Sequence, residues 1–357
     1  MTKPSILVMA GGTGGHIFPG LAVAEYLRIC GWNVSWLGNQ NGMEYRLVKS
    51  CDFPYEAIDF GGLRGKGLKA KLMLPMNLMR ACFQSWKIMR RIKPSVVLGM
   101  GGYITFPGGL VTKLLKRPLV LHESNSVAGS ANRVLAKIAM RTLTGFPNTM
   151  AHAEWVGNPI REEFDHILAP ALRYEQRQGP LSILVVGGSL GAAALNENIP
   201  AALALISKDA RPKVIHQAGD KHLADLQKRY ADLGVEAEVL PFIDDMPSAY
   251  ALADLVICRA GAMTVSELAA CGVAACLIPF PFALDDHQTA NAKFLADANA
   301  AILLPQQYLN PQDLAAMIQN FNRADLKEMA LRAHALAKPH ATQRVAEVCA
   351  DCAGVGV

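Results

Sequence analysis

A short apolar run that breaks on glycines and opens into an amphipathic segment occurs twice in this chain, 176 residues apart counted from Gly11 to Gly187. The first runs Ser5-Ile6-Leu7-Val8-Met9-Ala10 into Gly11-Gly12-Thr13-Gly14-Gly15-His16, and the second Ser182-Ile183-Leu184-Val185-Val186 into Gly187-Gly188-Ser189-Leu190-Gly191. A strand that ends on glycines at a helix start presents backbone N–H groups at the positive end of the helix dipole, which is a site for phosphate or another anion. Two such turns imply two nucleotide-binding-type halves. Strand-like runs at 5–10, 33–37, 96–98, 118–122, 142–144, 182–186, 213–217, 237–240, 255–258, 274–278 and 301–304 alternate with helix-length segments. That rhythm predicts parallel sheets with helices on both faces. Residues 156–160 and the polar stretch to Gly179-Pro180 read as the link between the halves, and Thr342 to Cys352 as a final helix.

The length of 357 residues suits two domains, and 51% hydrophobic with 18% charged residues excludes a disordered chain. No apolar run approaches the ~20 residues that span a bilayer, and Met1-Thr2-Lys3-Pro4 leads directly into a strand, so a cytosolic location is expected. The eight cysteines lack metal-type spacing, and Cys349-Ala350-Asp351-Cys352 has no strand–helix context that would make it a redox pair. The net charge of +5 conceals an asymmetry: residues 1–158 hold 19 Lys/Arg and 7 Asp/Glu, against 16 and 23 in the remainder. Between Gly61 and His122 there are twelve Lys/Arg and no acid, so a surface of the N-terminal half is expected to face something anionic. Within that stretch Leu72, Met76, Met79, Phe83 and Trp86 recur at helical spacing beside Arg80, Lys87, Arg90 and Arg91, with Pro75 marking a helix start.

The first turn matches no common nucleotide fingerprint. The first has Ile17 where a dinucleotide motif needs its third glycine, and it does not end in Gly-Lys-Ser/Thr as a Walker loop does. It ends instead on His16, at a helix start where the dipole disfavours an imidazolium; the ring is either a cap or a proton acceptor. In the second half, unusual residues gather where strands end: Gln217-Ala218-Gly219, Phe242-Ile243-Asp244-Asp245, Arg259-Ala260-Gly261-Ala262 and Pro279-Phe280 with Asp285-Asp286-His287-Gln288. Ligands of open parallel sheets bind there, which makes this half the expected nucleotide binder. Thr264-Val265-Ser266-Glu267 has capping-box form, so Glu267 either holds a helix start or, beside the glycine turn, takes the hydroxyls of a ribose. No Asp-x-Asp occurs, so no metal site is expected and a diphosphate would rest on helix N-termini and basic side chains.

Taken together and in order, Ala10 to His16 with Pro19-Gly20, Gly62-Leu63-Arg64-Gly65-Lys66-Gly67, Gly99-Met100-Gly101-Gly102-Tyr103, His122-Glu123-Ser124-Asn125, Gly157-Asn158-Pro159-Ile160-Arg161, Gly187 to Ala192, Phe242 to Met246 and Arg259 to Glu267 resemble the MurG family of N-acetylglucosaminyltransferases. The resemblance spans nearly the whole chain. It implies an α/β GT-B fold, two Rossmann-like doubly wound domains facing across a cleft: 1–160 toward acceptor and membrane, 161–340 holding UDP-GlcNAc, and 341–357 a helix packing back toward the first. It implies inverting transfer of GlcNAc to the C4 hydroxyl of the MurNAc of lipid I, giving lipid II for peptidoglycan, with no cofactor and no metal. Carried over by position, Ile243 meets uracil through its backbone, Glu267 the ribose, and Ser189 with its turn the diphosphate. Arg161, Ala262, Met263, Thr264, Val265, Ser266 and Gln288 complete the donor pocket. Thr13, Gly14, Gly15 and Asn125 close on the donor from the N-terminal side, and His16 stands next to the acceptor as general base. The expected partners are UDP-GlcNAc, lipid I, an anionic membrane surface at the cytoplasmic face of the inner membrane, and cell-wall synthesis proteins; nucleic acid is not among them. Ser124 and Leu190 stand where the family usually or often has Gln. The rival readings are another GT-B enzyme, such as a diacylglycerol glucosyltransferase or a UDP-GlcNAc 2-epimerase, and a non-catalytic membrane-surface divisome protein.

Overall fold

The structure, a computed structural model, describes residues 3–62, 72–188 and 191–356. It divides into two compact units, Met1–Arg161 with His340–Val357, and Glu162–Pro339. The first is built on a seven-stranded sheet in the order β3-β2-β1-β4-β5-β6-β7. Its strands are β1 Ser5–Ala10, β2 Asn33–Gly38, β3 Tyr55–Ala57, β4 Val96–Gly101, β5 Leu119–Glu123, β6 Arg141–Thr144 and β7 Glu154–Trp155, all paired in parallel. The second unit orders six parallel strands as β10-β9-β8-β11-β12-β13, with β8 Ser182–Val186, β9 Lys213–Gln217, β10 Glu238–Leu240, β11 Leu255–Cys258, β12 Ala274–Leu277 and β13 Ile302–Leu303. In both sheets the order reverses beside the first strand, between β1 and β4 and between β8 and β11. That reversal is the switch point where doubly wound sheets open a ligand crevice, and each glycine-rich turn sits at one.

Strand periodicity explains the two-sided burial. Ile6, Val8 and Ala10 of β1 join Ile17, Val23, Val345 and Cys349 on one face, while Leu7 and Met9 meet Ala81, Met89 and Val111 on the other. Val345 and Cys349 belong to the final helix, Ala341–Ala353, which therefore completes the core of the N-terminal unit despite its place at the chain end. Burial pushes the Cys349 thiol up, the opposite of what a redox thiol needs.

Each of the eleven expected strands is present. Two were not legible, the edge strands Tyr55–Ala57 and Glu154–Trp155, each of which carries an acid and lies in no apolar run. The link needs correction. Gly157 and Asn158 are fastened to the N-terminal unit, where the Gly157 carbonyl accepts from His122 Nε2 at 2.8 Å and Asn158 Nδ2 donates to Ser124 O at 3.0 Å. Residues 170–175 form a helix of the second unit, with Tyr174 buried in its core and donating to Asp254 O at 2.7 Å. Arg177 pairs with the buried Asp254 at 2.8 Å, so the polar stretch is packed structure and the division falls between Arg161 and Glu162.

Candidate active site

In the N-terminal unit the candidate residues follow the carboxyl ends of β1, β4 and β5. Thr13 is the N-cap of the helix Gly14–Ile29, and its carbonyl accepts from the backbone N–H of His16 at 3.1 Å. The β1 and β4 turns pass so close that a Cβ on Gly102, where φ is +84°, would fall 2.2 Å from Gly11 O; only glycine closes this switch point. The His16 ring packs against Gly101, where a Cβ would meet its Nδ1 at 2.8 Å and Asn132 Nδ2 at 3.5 Å.

Asn132 leads to a group that sequence reasoning quoted without assigning a role. The buried Glu123 carboxylate accepts from Asn132 Nδ2 at 2.9 Å, Gly129 N at 3.0 Å and Asn125 N at 3.0 Å. One carboxylate thus sets the whole loop that displays Asn125. Next to it, burial holds His122 neutral, its titration lowered to about 4 despite the opposing pull of Gly157 O and Glu123. A carboxylate at the end of an apolar strand was the available signal for Glu123.

Beneath the first turn lies a second buried carboxylate, Glu44, which accepts from Asn39 N at 3.0 Å and Gly12 N at 3.4 Å. Tyr103 stands beside it, its phenol pushed up first by burial and then by Glu44. Arg161 closes the N-terminal unit as an exposed residue.

In the C-terminal unit the candidates follow β8, β10, β11 and β12. A Cβ on Gly191, at φ +74°, would fall 2.1 Å from Ala218 O, the same close approach seen at the first turn. Ser189 lies outside the described residues. The helix after β11 spans Ala262–Cys271 with Gly261 as its N-cap, so Thr264 to Glu267 lie inside it and the capping box does not form. Glu267 instead accepts from the fully buried Tyr250 hydroxyl at 3.4 Å, which steadies the half-buried carboxylate near the strand ends. Ile243 is buried directly after β10, beside the exposed Phe242, and Asp245 caps the next helix by accepting from Ser248 N at 3.1 Å. Gln288 accepts from Phe280 N at 2.8 Å, and Arg259 donates to Ile278 O, Pro279 O and Gln306 Oε1 at 3.0, 3.1 and 2.6 Å, so both side chains fix the loop after β12. The expected residues therefore form two groups, Thr13 to His16 with Asn125 in one unit and Ile243, Ala262 to Glu267 and Gln288 in the other.

Comparison with known proteins places both units. The glycosyltransferase family 28 N-terminal domain matches residues 6–144, and the family 28 C-terminal domain matches residues 182–346. A UDP-N-acetylglucosamine--N-acetylmuramyl-(pentapeptide) pyrophosphoryl-undecaprenol N-acetylglucosamine transferase of Polynucleobacter asymbioticus is 85% identical over 357 residues, covering all of both chains. Its namesake from Paraburkholderia phytofirmans is 60% identical over 99% of this chain and 96% of its own. The crystal structure of Acinetobacter baumannii MurG superposes with a TM-score of 0.86 at 43% identity, covering 97% of this chain and 99% of that one.

Proposed function

We infer the activity from membership: the chain belongs to glycosyltransferase family 28, in the group of MurG N-acetylglucosaminyltransferases. It is an enzyme that transfers GlcNAc from UDP-GlcNAc to lipid-linked MurNAc-pentapeptide in peptidoglycan synthesis. The observation that carries this is the 85% identity over the full length of both chains. Incubation with labelled UDP-GlcNAc and lipid I tests it: label should enter a disaccharide lipid, and its absence from lipid would overturn the assignment.

For the residues we propose the following roles. Glu267, held by Tyr250, takes the ribose hydroxyls, and Ile243 meets the uracil through its backbone. Ala262, Met263, Thr264, Val265, Ser266, Gln288 and Arg161 line the rest of the donor pocket, with Ser189 at the diphosphate. Thr13, Gly14, Gly15 and Asn125 also contact the donor. The acceptor hydroxyl is a weak nucleophile; His16 takes its proton as it attacks the anomeric carbon, and UDP departs with the bonding pair. Backbone donors at the second turn stabilise the charge that develops on the leaving diphosphate, without a metal.

We further propose that the N-terminal unit docks on an anionic bilayer. Among the described residues no helix is long and apolar enough to cross a membrane. The support is the helix Leu74–Ile92, which buries only Ala81, Ser85, Ile88 and Met89 and leaves Met79 67% and Phe83 54% exposed. Phe83 stacks on Trp86 at 5.8 Å, and Lys87 and Arg90 lie over these rings at 4.7 and 4.9 Å. Arg80 and Arg91 are turned to Asp59 and Glu56, so acids from outside the acid-free stretch neutralise part of it. Lys69 and Lys71 lie outside the described residues. An exposed apolar stripe with cations on its rings fits a headgroup boundary.

A further inference from the structure

The first glycine-rich turn carries its own anion. Glu44 is completely buried, and both of its oxygens accept backbone N–H bonds, Oε1 from Asn39 and Oε2 from Gly12, the pattern of an ionised carboxylate. Glycines line the space that it fills. A Cβ on Gly11 would lie 2.5 Å from Oε1, one on Gly42 2.3 Å from either oxygen, and one on Gly38 2.9 Å from Cγ. Asn39 extends the clamp, its carbonyl accepting from the Tyr55 hydroxyl at 2.9 Å and its Nδ2 donating to Phe60 O at 3.1 Å. Glu44 also lies in the first turn of its helix, Met43–Ser50, where an acid helps the dipole. A solvent-exposed side chain would serve that purpose equally well, whereas this one is buried and spans from β2's end to the turn after β1.

An N–H group at such a turn ordinarily greets an external phosphate. Here the Gly12 N–H is already taken, and an incoming phosphate would meet a buried like charge. We propose that Glu44 is a positioning residue that fills the first turn from within, so that the segment from Gly11 to His16 is held for a neutral hydroxyl and proton transfer, and phosphate capture is left to other groups. This rests on the transferase reading for its kinetic arm but not for its binding arm.

The test uses the full chain with E44Q and E44D. With the donor site saturated by UDP, inorganic pyrophosphate is titrated while calorimetry records binding. Wild type should show none up to millimolar concentrations, and E44Q, which removes the charge at nearly constant shape, should gain a site at least tenfold tighter than the wild-type limit. In the kinetic arm both variants should lose about tenfold or more in kcat, with the KM for UDP-GlcNAc within twofold of wild type and the thermal midpoint showing a folded protein. A partial kcat recovery in E44D over E44Q would support retention of charge. No gain in pyrophosphate binding by E44Q, or a fall in UDP affinity that tracks the loss of kcat, would overturn the proposal. A wild type inactive on lipid I would instead defeat the transferase reading and leave the pyrophosphate result standing.

Discussion

The N-terminal and C-terminal units start from the same device and brace it with opposite chemistry. Under the turn after β1 a carboxylate consumes a backbone N–H, through Glu44 and Gly12. At the turn after β8, among the described residues, the bracing side chains are amides bonded to carbonyls: Gln217 Nε2 to Gly188 O at 3.3 Å and Asn196 Nδ2 to Ala218 O at 3.2 Å. A carbonyl brace leaves N–H donors for a ligand, and a carboxylate brace removes one and adds negative charge. One strand–turn–helix pattern can therefore serve an anion or exclude it, depending on a side chain that is remote in sequence.

The comparison breaks most clearly at His16. If His16 serves the chemical step and not donor capture, His16→Ala should cut turnover by about 10²–10⁴-fold while UDP affinity stays nearly intact. Single-turnover kinetics with UDP calorimetry separates the two. A parallel loss of UDP affinity would erase the division of labour, and turnover within about threefold of wild type would make the ring a cap.

Each unit also buries a histidine on its sheet, and acid sharpens the contrast between them. Burial lowers His122 to about 4 and His216 to about 3; the His216 Nδ1 lies 2.9 Å from the Tyr230 hydroxyl. Both folded values lie below the unfolded value of about 6.5, so between them the unfolded chain binds a proton that the native state does not. Stability from these groups is complete above pH ~6.5 and falls as the pH drops. By pH ~4 the His122 contribution is about 3 kcal/mol lower, and that of His216 continues to fall below that. Urea unfolding at pH 7 and pH 5 should show the drop, and His216→Gln should flatten it for the C-terminal unit. An unchanged midpoint between these pH values would show that neither ring is held neutral.

The fold was readable because the signals that define it are local. Strand β1 is a continuous apolar run that ends on glycines, and the same holds for β8, so topology and switch points follow from pattern alone. The edge strands Tyr55–Ala57 and Glu154–Trp155 escaped because each carries an acid and lies in no apolar run, and the link because Tyr174 and Arg177 look polar until Asp254, some 80 residues later, meets them. The site divides in the same way. His16 and Glu267 stand near glycine turns, which is why the sequence offers them as candidates; Glu44 and Tyr250 act through contacts made only by folding, and Glu123 shows in the sequence only as a carboxylate at the end of an apolar strand.

Donor capture tests the other side of the comparison. Glu267→Ala should weaken UDP binding by about 1.5–3 kcal/mol, roughly ten- to a hundredfold, since it removes charged acceptors and orphans the Tyr250 hydroxyl. Treatment with EDTA should leave the wild-type affinity unchanged, and abolition of binding by EDTA would overturn the metal-free reading. Glu267→Gln keeps an acceptor for Tyr250, so recovery of part of the loss would separate steadying from ribose contact.

The smallest expected effect belongs to the charge difference between the units, of which only the N-terminal one is basic. A cation near an anionic leaflet is worth about 1 kcal/mol, so each reversal should cost about five- to tenfold in vesicle affinity. Lys87 and Arg90 are the informative pair, because they lie over the exposed Phe83 ring and the half-buried Trp86 ring, whereas Arg80 is neutralised by Asp59. Lys87→Glu with Arg90→Glu should weaken sedimentation with anionic vesicles by one to two orders of magnitude at low salt, and Arg80→Glu by less. Raising the ionic strength should shrink the difference, since exposed charges are screened beyond about 10 Å at 0.1 M. Phe83→Ser should weaken binding to anionic and neutral vesicles alike, because its contribution is apolar area. Equal binding of wild type to both vesicle types, untouched by salt or by the double reversal, would remove the electrostatic part of the docking and leave the apolar stripe to account for it alone.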